Sequence, residues 1–208
     1  MKSLEEKSLM LPIAKYNMRV IQALDLFFAA IGIMCAFPIG LVVALAVKLD
    51  SKGPFFFIQE RLGRYKKPFK LIKFRTMVFN AEEKGPVWAH KNDRRVTRIG
   101  RFLRKNRLDE IPQLLNILKG DISFVGPRPV VKSSAELLQQ YNRDYDKRFL
   151  VKPGLTGWSQ IYWSHSPSIE EQLKKVPYDL RYLNNYSVKD YFKILFLTVR
   201  TVFIGKGV

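Results

Sequence analysis

The stretch IQALDLFFAAIGIMCAFPIGLVVALAV, residues 21–47, is the segment that most strongly determines the fold of this chain. It contains no lysine, arginine or glutamate, and its one charged residue is Asp25. A helix of about 20 apolar residues spans a hydrocarbon core of about 30 Å, so the segment is long enough to enter or cross a membrane. Pro38 lies two thirds of the way along it. Because an internal proline removes a backbone donor and bends a helix, we predict a membrane element that changes direction there.

Basic residues flank this segment on both sides. Lys15 and Arg19 precede it, and Lys48 and Lys52 follow it. Since Lys and Arg beside a membrane segment favour the cytoplasmic side, both flanks are expected there. A re-entrant helix-break-helix satisfies both flanks, whereas a straight spanning helix places one set outside. We therefore expect the re-entrant form, with a spanning helix and a buried helix of a soluble protein as the alternatives.

The overall charge indicates anionic partners. The chain has 208 residues, with 36 Lys and Arg against 18 Asp and Glu, and a formal net charge of +18. Such a balance is typical of proteins that bind nucleic acid, acidic lipid or phosphorylated substrates, and charge alone does not choose among them. The length leaves room for one domain beyond the membrane element. We predict an N-terminal segment with the membrane helix at residues 1–48 and a second domain at 49–208.

Two segments after the membrane element carry basic residues on defined faces. Residues 69–75 alternate in polarity as a strand does, which would place Lys73 and Arg75 on the same face. Residues 99–108 have apolar positions at helical spacing and basic positions on another face. We predict a strand and an amphipathic helix with a basic side.

Asp109 and Glu110 come directly after the basic helix. Pro112 is tolerated only in a first helical turn and Gly120 is a stop signal, so the two acids are expected at a helix N-terminus. One interpretation is capping, in which an acid gains about 0.3–1 kcal/mol from the helix dipole. The other is functional, because the same field lowers the pKa of a carboxylate and keeps it ionised. An ionised carboxylate is a usable nucleophile towards phosphorus.

A carboxylate that reacts with a phosphate needs cations nearby. Two unit anions 4 Å apart repel by about 4 kcal/mol at an effective dielectric constant of 20. Arg104 and Arg107 lie just before the acids, and Arg128 follows the predicted helix between two prolines that restrict its backbone. A guanidinium suits bidentate phosphate contact, and hard oxygen ligands beside phosphates indicate Mg²⁺. These arginines could also occupy ordinary surface positions.

Five ordered motifs resemble those of the bacterial sugar transferase family, and the chain is similar to its small monotopic phosphoglycosyl transferases over about residues 19–202. The motifs are KFRTM (73–77), RKNRLDEIPQ (104–113), GDIS (120–123), VGPRP (125–129) and KPGLTG (152–157). The fold expected from the resemblance is α+β and predominantly helical. It joins a re-entrant membrane helix-break-helix to a small cytoplasmic catalytic domain with amphipathic interfacial helices.

The resemblance also implies a reaction. Family members transfer a sugar-1-phosphate from a nucleotide diphosphate sugar, commonly a uridine one, to a polyprenyl phosphate such as undecaprenyl phosphate. This step starts the assembly of a glycan such as an exopolysaccharide, an O-antigen or a glycoprotein glycan. The implied location is the cytoplasmic face of the bacterial inner membrane, with membrane lipid as a further partner, no nucleic acid, and a homodimer among the expected assemblies.

The roles of individual residues follow from the same resemblance. Asp109 would attack the phosphorus that bears the sugar and form a phosphosugar aspartate, while Glu110 would assist the second step or help Asp109 hold Mg²⁺. Asp25 and Pro38 match the family's re-entrant element. The residues expected to bind substrate phosphates are Lys73, Arg75, Arg104, Arg107 and Arg128.

Two further interpretations remain open. The chain could be a non-catalytic, basic, membrane-tethered protein that binds polyanions or serves as a scaffold, in which case Asp109 is only a cap. Residues 188–204 are densely apolar but contain three basic residues. They predict either an amphipathic helix on the membrane surface or a core helix.

Overall fold

The computed structural model describes residues 12–81, 93–163 and 168–203. These ranges are mostly helical and contain two small sheets, which confirms the α+β, predominantly helical prediction. The helices are α1 (Pro12–Asp50), α2 (Arg98–Lys105), α3 (Gln113–Lys119), α4 (Lys132–Tyr141), α5 (Trp158–Tyr162), α6 (Ile169–Leu173), α7 (Val176–Asn184) and α8 (Val188–Phe203). The strands are β1 (Phe56–Leu62), β2 (Pro68–Phe74), β3 (Ser123–Val125) and β4 (Gly154–Thr156), and 3₁₀ segments occur at Arg64–Lys66, Leu108–Glu110 and Arg143–Leu150.

The apolar segment forms the greater part of α1. Residues 17–50 of this helix are long and apolar enough to cross a membrane. The helical conformation continues through Pro38, so the structure does not show the predicted break between two helices. The helix ends at Asp50, two residues beyond the predicted end of the N-terminal segment.

One face of α1 packs against the rest of the protein at both of its ends. Ile21 joins a core cluster with Val125 and Ile194. Near the other end, Val43 and Val47 pack in a cluster with Phe74 and Leu103. The opposite face of α1 is apolar and exposed; its large exposed side chains are Leu26, Phe27, Ile31, Met34, Phe37, Ile39, Leu41, Val42, Leu45 and Leu49. Water is a poor solvent for such a continuous apolar face, which is the feature expected of a membrane contact.

The predicted strand is β2, which pairs antiparallel with β1 in a hairpin that sets Phe56 opposite Phe74. Leu71 of β2 packs with Ala29 of α1 and Ile117 of α3. This strand therefore lies between the membrane helix and the short helix α3. It brings Lys73 from the hairpin to the turn that carries the two acids.

The C-terminal helix α8 has one face packed in the core and another that is apolar and exposed. Tyr191 and Ile194 are fully buried in the core, whereas Phe192, Phe196 and Val199 are exposed. Phe192 also contacts Phe28 of α1 edge to face. The core face is the feature expected of a core helix, and the exposed apolar face is the feature expected of a helix on the membrane surface. Ile204, the last residue of the predicted helix, lies outside the described residues.

Candidate active site

The two carboxylates lie in the 3₁₀ turn Leu108–Glu110, between α2 and α3. The turn begins after Arg107, which adopts the left-handed conformation with φ 58°. Pro112 is the N-cap of α3, and Gly120 ends that helix with φ 78°. The acids are therefore beside a helix N-terminus, in the turn before it rather than in its first turn. Asp109 is 8% exposed and Glu110 is 9% exposed.

Glu110 is held by two cations. Its Oε1 atom accepts hydrogen bonds from Lys73 Nζ at 3.2 Å and from Arg128 Nη2 at 3.0 Å. Burial alone would raise the pKa of Glu110, but the charges of Lys73, Arg128 and Arg107 outweigh it, and the pKa lies well below the usual range. Glu110 is therefore firmly ionised, and it links the hairpin to the loop that carries Arg128.

The carboxylate of Asp109, unlike that of Glu110, is not paired with a cation in the described part of the chain. Among the residues that the structure describes, none donates a hydrogen bond to its carboxylate or forms an ion pair with it. Burial raises its pKa and the charge of Glu110 adds to this, while Lys73, Arg104 and Arg128 oppose the rise. The expectation that the helix field lowers the pKa of Asp109 is wrong, because loss of hydration is the larger effect here. A carboxylate with a raised pKa is more basic and hence a better nucleophile once ionised.

A buried amide that the sequence analysis missed fixes the position of α3 against β2. Asn116 is fully buried; its Oδ1 accepts from the Ile72 amide at 3.0 Å, and its Nδ2 donates to the Lys70 carbonyl at 2.7 Å. By contrast, Leu115 and Leu118 of the same helix are each 38% exposed. Asn116 therefore connects the strand of Lys73 to the helix that follows the acids.

A buried ion pair supports the backbone at Arg128. Arg148 Nη2 donates to the Arg128 carbonyl at 2.8 Å and lies 3.0 Å from Asp179 Oδ2. Ser159 donates its hydroxyl proton to Asp179 Oδ1 at 2.8 Å. Sequence reasoning did not identify Arg148, since a single buried arginine leaves no periodic signal. This network fixes the loop from which the Arg128 guanidinium reaches Glu110.

Two glycines let the motif loops approach each other. A Cβ atom on Gly126 would lie 2.5 Å from the Lys152 carbonyl oxygen and 2.9 Å from the Gly154 amide nitrogen. A Cβ atom on Gly154 would in turn collide with the backbone of Gly126. The parallel pairing of β3 with β4 thus depends on glycine at both positions, and it places Arg128 just beyond the end of β3.

The other predicted phosphate ligands divide into two groups. Arg104 donates from Nε to Thr76 Oγ1 at 2.8 Å, and its charge acts on Asp109. Arg107 begins the 3₁₀ turn, and its charge acts on Glu110. The charges of both arginines therefore act on the carboxylates, and binding of a phosphate by them stays a prediction.

Arg75 does not join this group. It lies one residue beyond β2, and its guanidinium donates to the Ser51 carbonyl at 2.7 Å and to the Lys52 carbonyl at 2.9 Å. It is 5% exposed. The expectation that Lys73 and Arg75 act together is not met, because Lys73 reaches Glu110 while Arg75 binds the two residues that follow α1.

Asp25 is a buried structural acceptor in α1. It is 3% exposed, and its Oδ1 accepts from the Phe124 amide at 3.0 Å and from the Tyr191 hydroxyl at 2.9 Å. The one charged side chain of the apolar segment thus joins α1 to β3 and α8 instead of facing lipid. Pro38 lies on the exposed side of α1, away from this contact.

The carboxylate pair fits the donor set of Mg²⁺. That ion is commonly held by one or two carboxylates together with substrate phosphates, and not by a cage of protein ligands. No group of three or more acidic, histidine or cysteine side chains suited to a metal occurs in the described ranges. Because Glu110 Oε1 already accepts from two cations, Asp109 and the second oxygen of Glu110 would be the protein ligands.

Comparison with known proteins shows which family the chain matches. Residues 16–205 match the family model described as bacterial sugar transferase. A UDP-glucose:undecaprenyl-phosphate glucose-1-phosphate transferase of Escherichia coli (strain K12) is 41% identical over 198 residues, covering 94% of this chain and 43% of the relative. A UDP-N-acetylgalactosamine-undecaprenyl-phosphate N-acetylgalactosaminephosphotransferase of Aeromonas hydrophila is 37% identical over 189 residues, covering 89% and 44% respectively.

A relative of similar length is also found. An uncharacterized sugar transferase of Bacillus subtilis (strain 168) is 42% identical over 181 residues, which cover 86% of each chain. By contrast, the chain spans less than half the length of the Escherichia coli and Aeromonas relatives. The family match covers nearly all of the sequence, including every motif of the carboxylate site. The chain therefore belongs to the bacterial sugar transferase family.

Proposed function

We propose that this protein transfers a sugar-1-phosphate from a nucleotide diphosphate sugar to a polyprenyl phosphate. A uridine diphosphate sugar is the expected donor and undecaprenyl phosphate the expected acceptor, since these are the substrates in the names of the relatives. The product, a polyprenyl diphosphate sugar, is the starting unit of a glycan.

The observation that carries this proposal is the difference between two adjacent carboxylates. Glu110 is paired with Lys73 and Arg128 and has a lowered pKa, whereas Asp109 has no such partner among the described residues and has a raised pKa. Neighbouring acids whose environments push their pKa values apart commonly have different chemical roles. Asp109 suits the nucleophile, and Glu110 suits the group that organises the surrounding cations.

The first half of the proposed reaction forms a covalent intermediate. An ionised Asp109 oxygen attacks the phosphorus that bears the sugar, the bond from this phosphorus to the bridging oxygen breaks, and the nucleoside monophosphate leaves with that electron pair. Lys73, Arg104 and Arg128 reduce the repulsion between the carboxylate and the diphosphate. Mg²⁺ held by Asp109 and Glu110 would supply further charge neutralisation on the phosphate oxygens.

The second half returns the enzyme to its starting state. An oxygen of the polyprenyl phosphate attacks the same phosphorus, the bond to Asp109 breaks, and the aspartate regains its charge. Because the donor and acceptor react in separate steps, one small site can serve a water-soluble substrate and a lipid substrate in turn.

We further propose a monotopic arrangement with the catalytic domain on the cytoplasmic face of the inner membrane. The 34 residues of α1 that are apolar enough for a membrane would measure about 51 Å if straight, well above the ~30 Å hydrocarbon core. Ile21 near one end and Val47 near the other both pack on the same body of the protein. A straight span would separate these ends, whereas a helix bent at Pro38 keeps both on one side.

This function is tested by assaying the purified full chain in detergent with Mg²⁺, undecaprenyl phosphate and a panel of labelled nucleotide diphosphate sugars. We expect one or more donors to give labelled lipid and the matching nucleoside monophosphate in equal amounts. The Asp109→Asn variant should give neither. Absence of labelled lipid with every donor would contradict the proposal.

A further inference from the structure

A polar cavity lies where the loop between α7 and α8 meets the first part of α1. Its volume is about 480 Å³, within the range of small-ligand sites. Asn17 of α1 forms part of its wall and donates from Nδ2 to the Tyr186 carbonyl at 3.1 Å, which joins α1 to this loop. Almost all of the lining side chains are polar or charged. The cavity therefore suits a polar group and not a hydrocarbon chain.

Three cations line this cavity. Arg181 comes from α7, and Lys189 and Lys193 come from α8. Asp190 is the only carboxylate among the described residues of the wall. In the described ranges, none of the three cations forms an ion pair with a carboxylate. The excess of positive charge at the cavity indicates that an anion binds there.

A buried tryptophan holds two of these cations near each other. The Trp158 side chain is 2% exposed, the Arg181 guanidinium carbon lies 4.6 Å from its ring centroid, and Lys193 Nζ lies 5.7 Å from it. Cation–π attraction to the ring stabilises both positions. Because the two charges are already placed, less side-chain freedom is lost when an anion binds at the cavity.

The exposed face of α8 continues from the cavity into an apolar surface. Four exposed side chains share this face because of their helical spacing: Lys189, Phe192, Lys193 and Phe196. Phe192 contacts Phe28 of α1 with ring centroids 6.4 Å apart, which joins this face to the exposed apolar face of α1. A ligand with a charged head in the cavity would thus have an apolar surface directly beside it.

We infer that this cavity binds the phosphate headgroup of an anionic membrane phospholipid, with the acyl chains along the exposed apolar face of α8. The polar walls receive the headgroup, and Arg181, Lys189 and Lys193 offset its charge. Basic pockets beside membrane helices bind acidic headgroups in the same way. Phe192 and Phe196 favour a lipid over a free phosphate, which has no use for an apolar surface. Lipid binding here goes beyond the proposed transfer reaction and does not depend on it.

The test measures lipid binding to the full chain in mixed detergent micelles. The probes are phosphatidylglycerol, whose headgroup is anionic, and phosphatidylcholine, whose headgroup is zwitterionic. Native mass spectrometry counts the lipid molecules that each chain retains. We expect wild type to retain one phosphatidylglycerol with about 10-fold or greater preference, since each nearby basic residue favours acidic lipid. The double variant Lys189→Gln with Lys193→Gln should lose most of this preference, and Lys189→Arg with Lys193→Arg should keep it.

The matched control is Lys132→Gln with Lys147→Gln, which loses the same number of charges elsewhere. Both lysines are exposed, on α4 and on the 3₁₀ segment Arg143–Leu150. In the part of the chain that the structure describes, the buried cluster of these two elements includes no residue of α1 or α8. The control should keep the wild-type preference. All variants should melt close to the wild-type temperature in lipid-free detergent, because the replaced side chains are exposed.

Several results would overturn lipid binding at this cavity. These are equal retention of both lipids by wild type, an unchanged preference in Lys189→Gln with Lys193→Gln, and an equal loss in the control. Displacement by equimolar glycerophosphoglycerol, the headgroup without acyl chains, would assign the cavity to a soluble phosphate compound. Displacement by equimolar undecaprenyl phosphate would assign it to the proposed acceptor. The donor-panel assay judges the transfer reaction separately, so either proposal can fail while the other stands.

Discussion

Asp109 and Glu110 are adjacent in the sequence and equally buried, yet their surroundings affect their charges in opposite directions. The difference arises because Lys73 and Arg128 both reach Glu110 and neither forms an ion pair with Asp109. Burying a charge without a partner costs free energy, so the folded protein is less stable for keeping Asp109 ionised. Such a cost is typical of catalytic groups, and it makes the two acids distinguishable by experiment.

Replacing the proposed nucleophile should therefore stabilise the protein while it abolishes activity. In Asp109→Asn the side chain no longer has to be ionised in a buried position, and a carboxyl with a raised folded pKa lowers stability at neutral pH. We expect a higher melting temperature, by about 2–4 °C for each kcal/mol gained. Differential scanning calorimetry at pH 7 measures this shift, and an unchanged or lower melting temperature would contradict the account.

Glu110→Gln should have the opposite effect on stability. The substitution keeps the shape but leaves Lys73 and Arg128 without their carboxylate. Breaking a buried ion pair costs about 3–5 kcal/mol, and since the Arg128 side chain is 39% exposed, we expect about 1–3 kcal/mol here. Denaturant unfolding at pH 7 provides the measurement.

The pH dependence provides a check on this prediction. Because the folded pKa of Glu110 is lowered, its contribution is fully present above the unfolded value, near 4.5, and is lost as the pH falls through the folded value. The difference in stability between wild type and Glu110→Gln should therefore shrink in acid. A constant difference between pH 7 and pH 3 would show that the ion pairs are not its source.

At the scale of the elements, the site is made where short segments from distant parts of the chain meet. The strand β2, the 3₁₀ turn Leu108–Glu110 and the loop after β3 each supply one part. The sequence was sufficient to predict β2, α2 and α3, since periodicity, Pro112 and Gly120 mark them locally. It placed the two acids at the N-terminus of α3, whereas they lie in the 3₁₀ turn before that helix. It was not sufficient to show that Arg75 binds Ser51 and Lys52, just after α1, because the alternation of polar and apolar residues in a strand does not specify which groups a side chain beyond its end will contact.

The Arg148–Asp179 pair gives a prediction at this scale. Arg148→Met removes the donor to the Arg128 carbonyl and leaves the Asp179 charge buried, so we expect about 3–5 kcal/mol of destabilisation. The double variant Arg148→Met with Asp179→Leu removes both charges and should recover much of that loss. Unfolding measurements on the wild type, both single variants and the double variant form a complete thermodynamic cycle; simple additivity of the single effects would show that the residues are not coupled.

The attachment of α1 can be tested through Tyr191. Its hydroxyl donates to Asp25 Oδ1 at 2.9 Å, and both residues are buried. Tyr191→Phe keeps the ring and removes only the hydroxyl, so we expect a loss of about 1 kcal/mol. Tyr141→Phe, at a tyrosine that is 60% exposed on α4, is the matched control. Equal stability of the two variants would contradict the proposed role of Asp25 as an anchor for the helix.

At the scale of the whole molecule, the exposed apolar faces of α1 and α8 define one side of the protein. Phe28 of α1 and Phe192 of α8 are in contact, so the two faces adjoin. The sequence indicated a membrane element and a basic domain but did not determine how the element lies, since a proline can bend a helix by different amounts. The packing of both ends of α1 on the same body is a tertiary feature that hydropathy does not encode.

This packing predicts that both ends of α1 are on the same side of the membrane. In a Cys35→Ser background, single cysteines replacing Glu5 and Glu60 should both resist a membrane-impermeant thiol reagent in intact cells. Both should react once the cells are opened. Labelling of either position in intact cells would indicate a spanning helix and contradict the monotopic arrangement.

The covalent role of Asp109 is the central feature of the proposed mechanism, and a single-turnover experiment without lipid acceptor tests it directly. The full chain in detergent is mixed with Mg²⁺ and an accepted donor, quenched in acid and digested with trypsin, which should release the peptide Leu108–Lys119. We predict about one nucleoside monophosphate released per site and a sugar-phosphate mass on Asp109 of this peptide, absent in Asp109→Asn. An unmodified peptide and no release without lipid, in an enzyme that turns over when lipid is added, would contradict the covalent mechanism and indicate direct transfer.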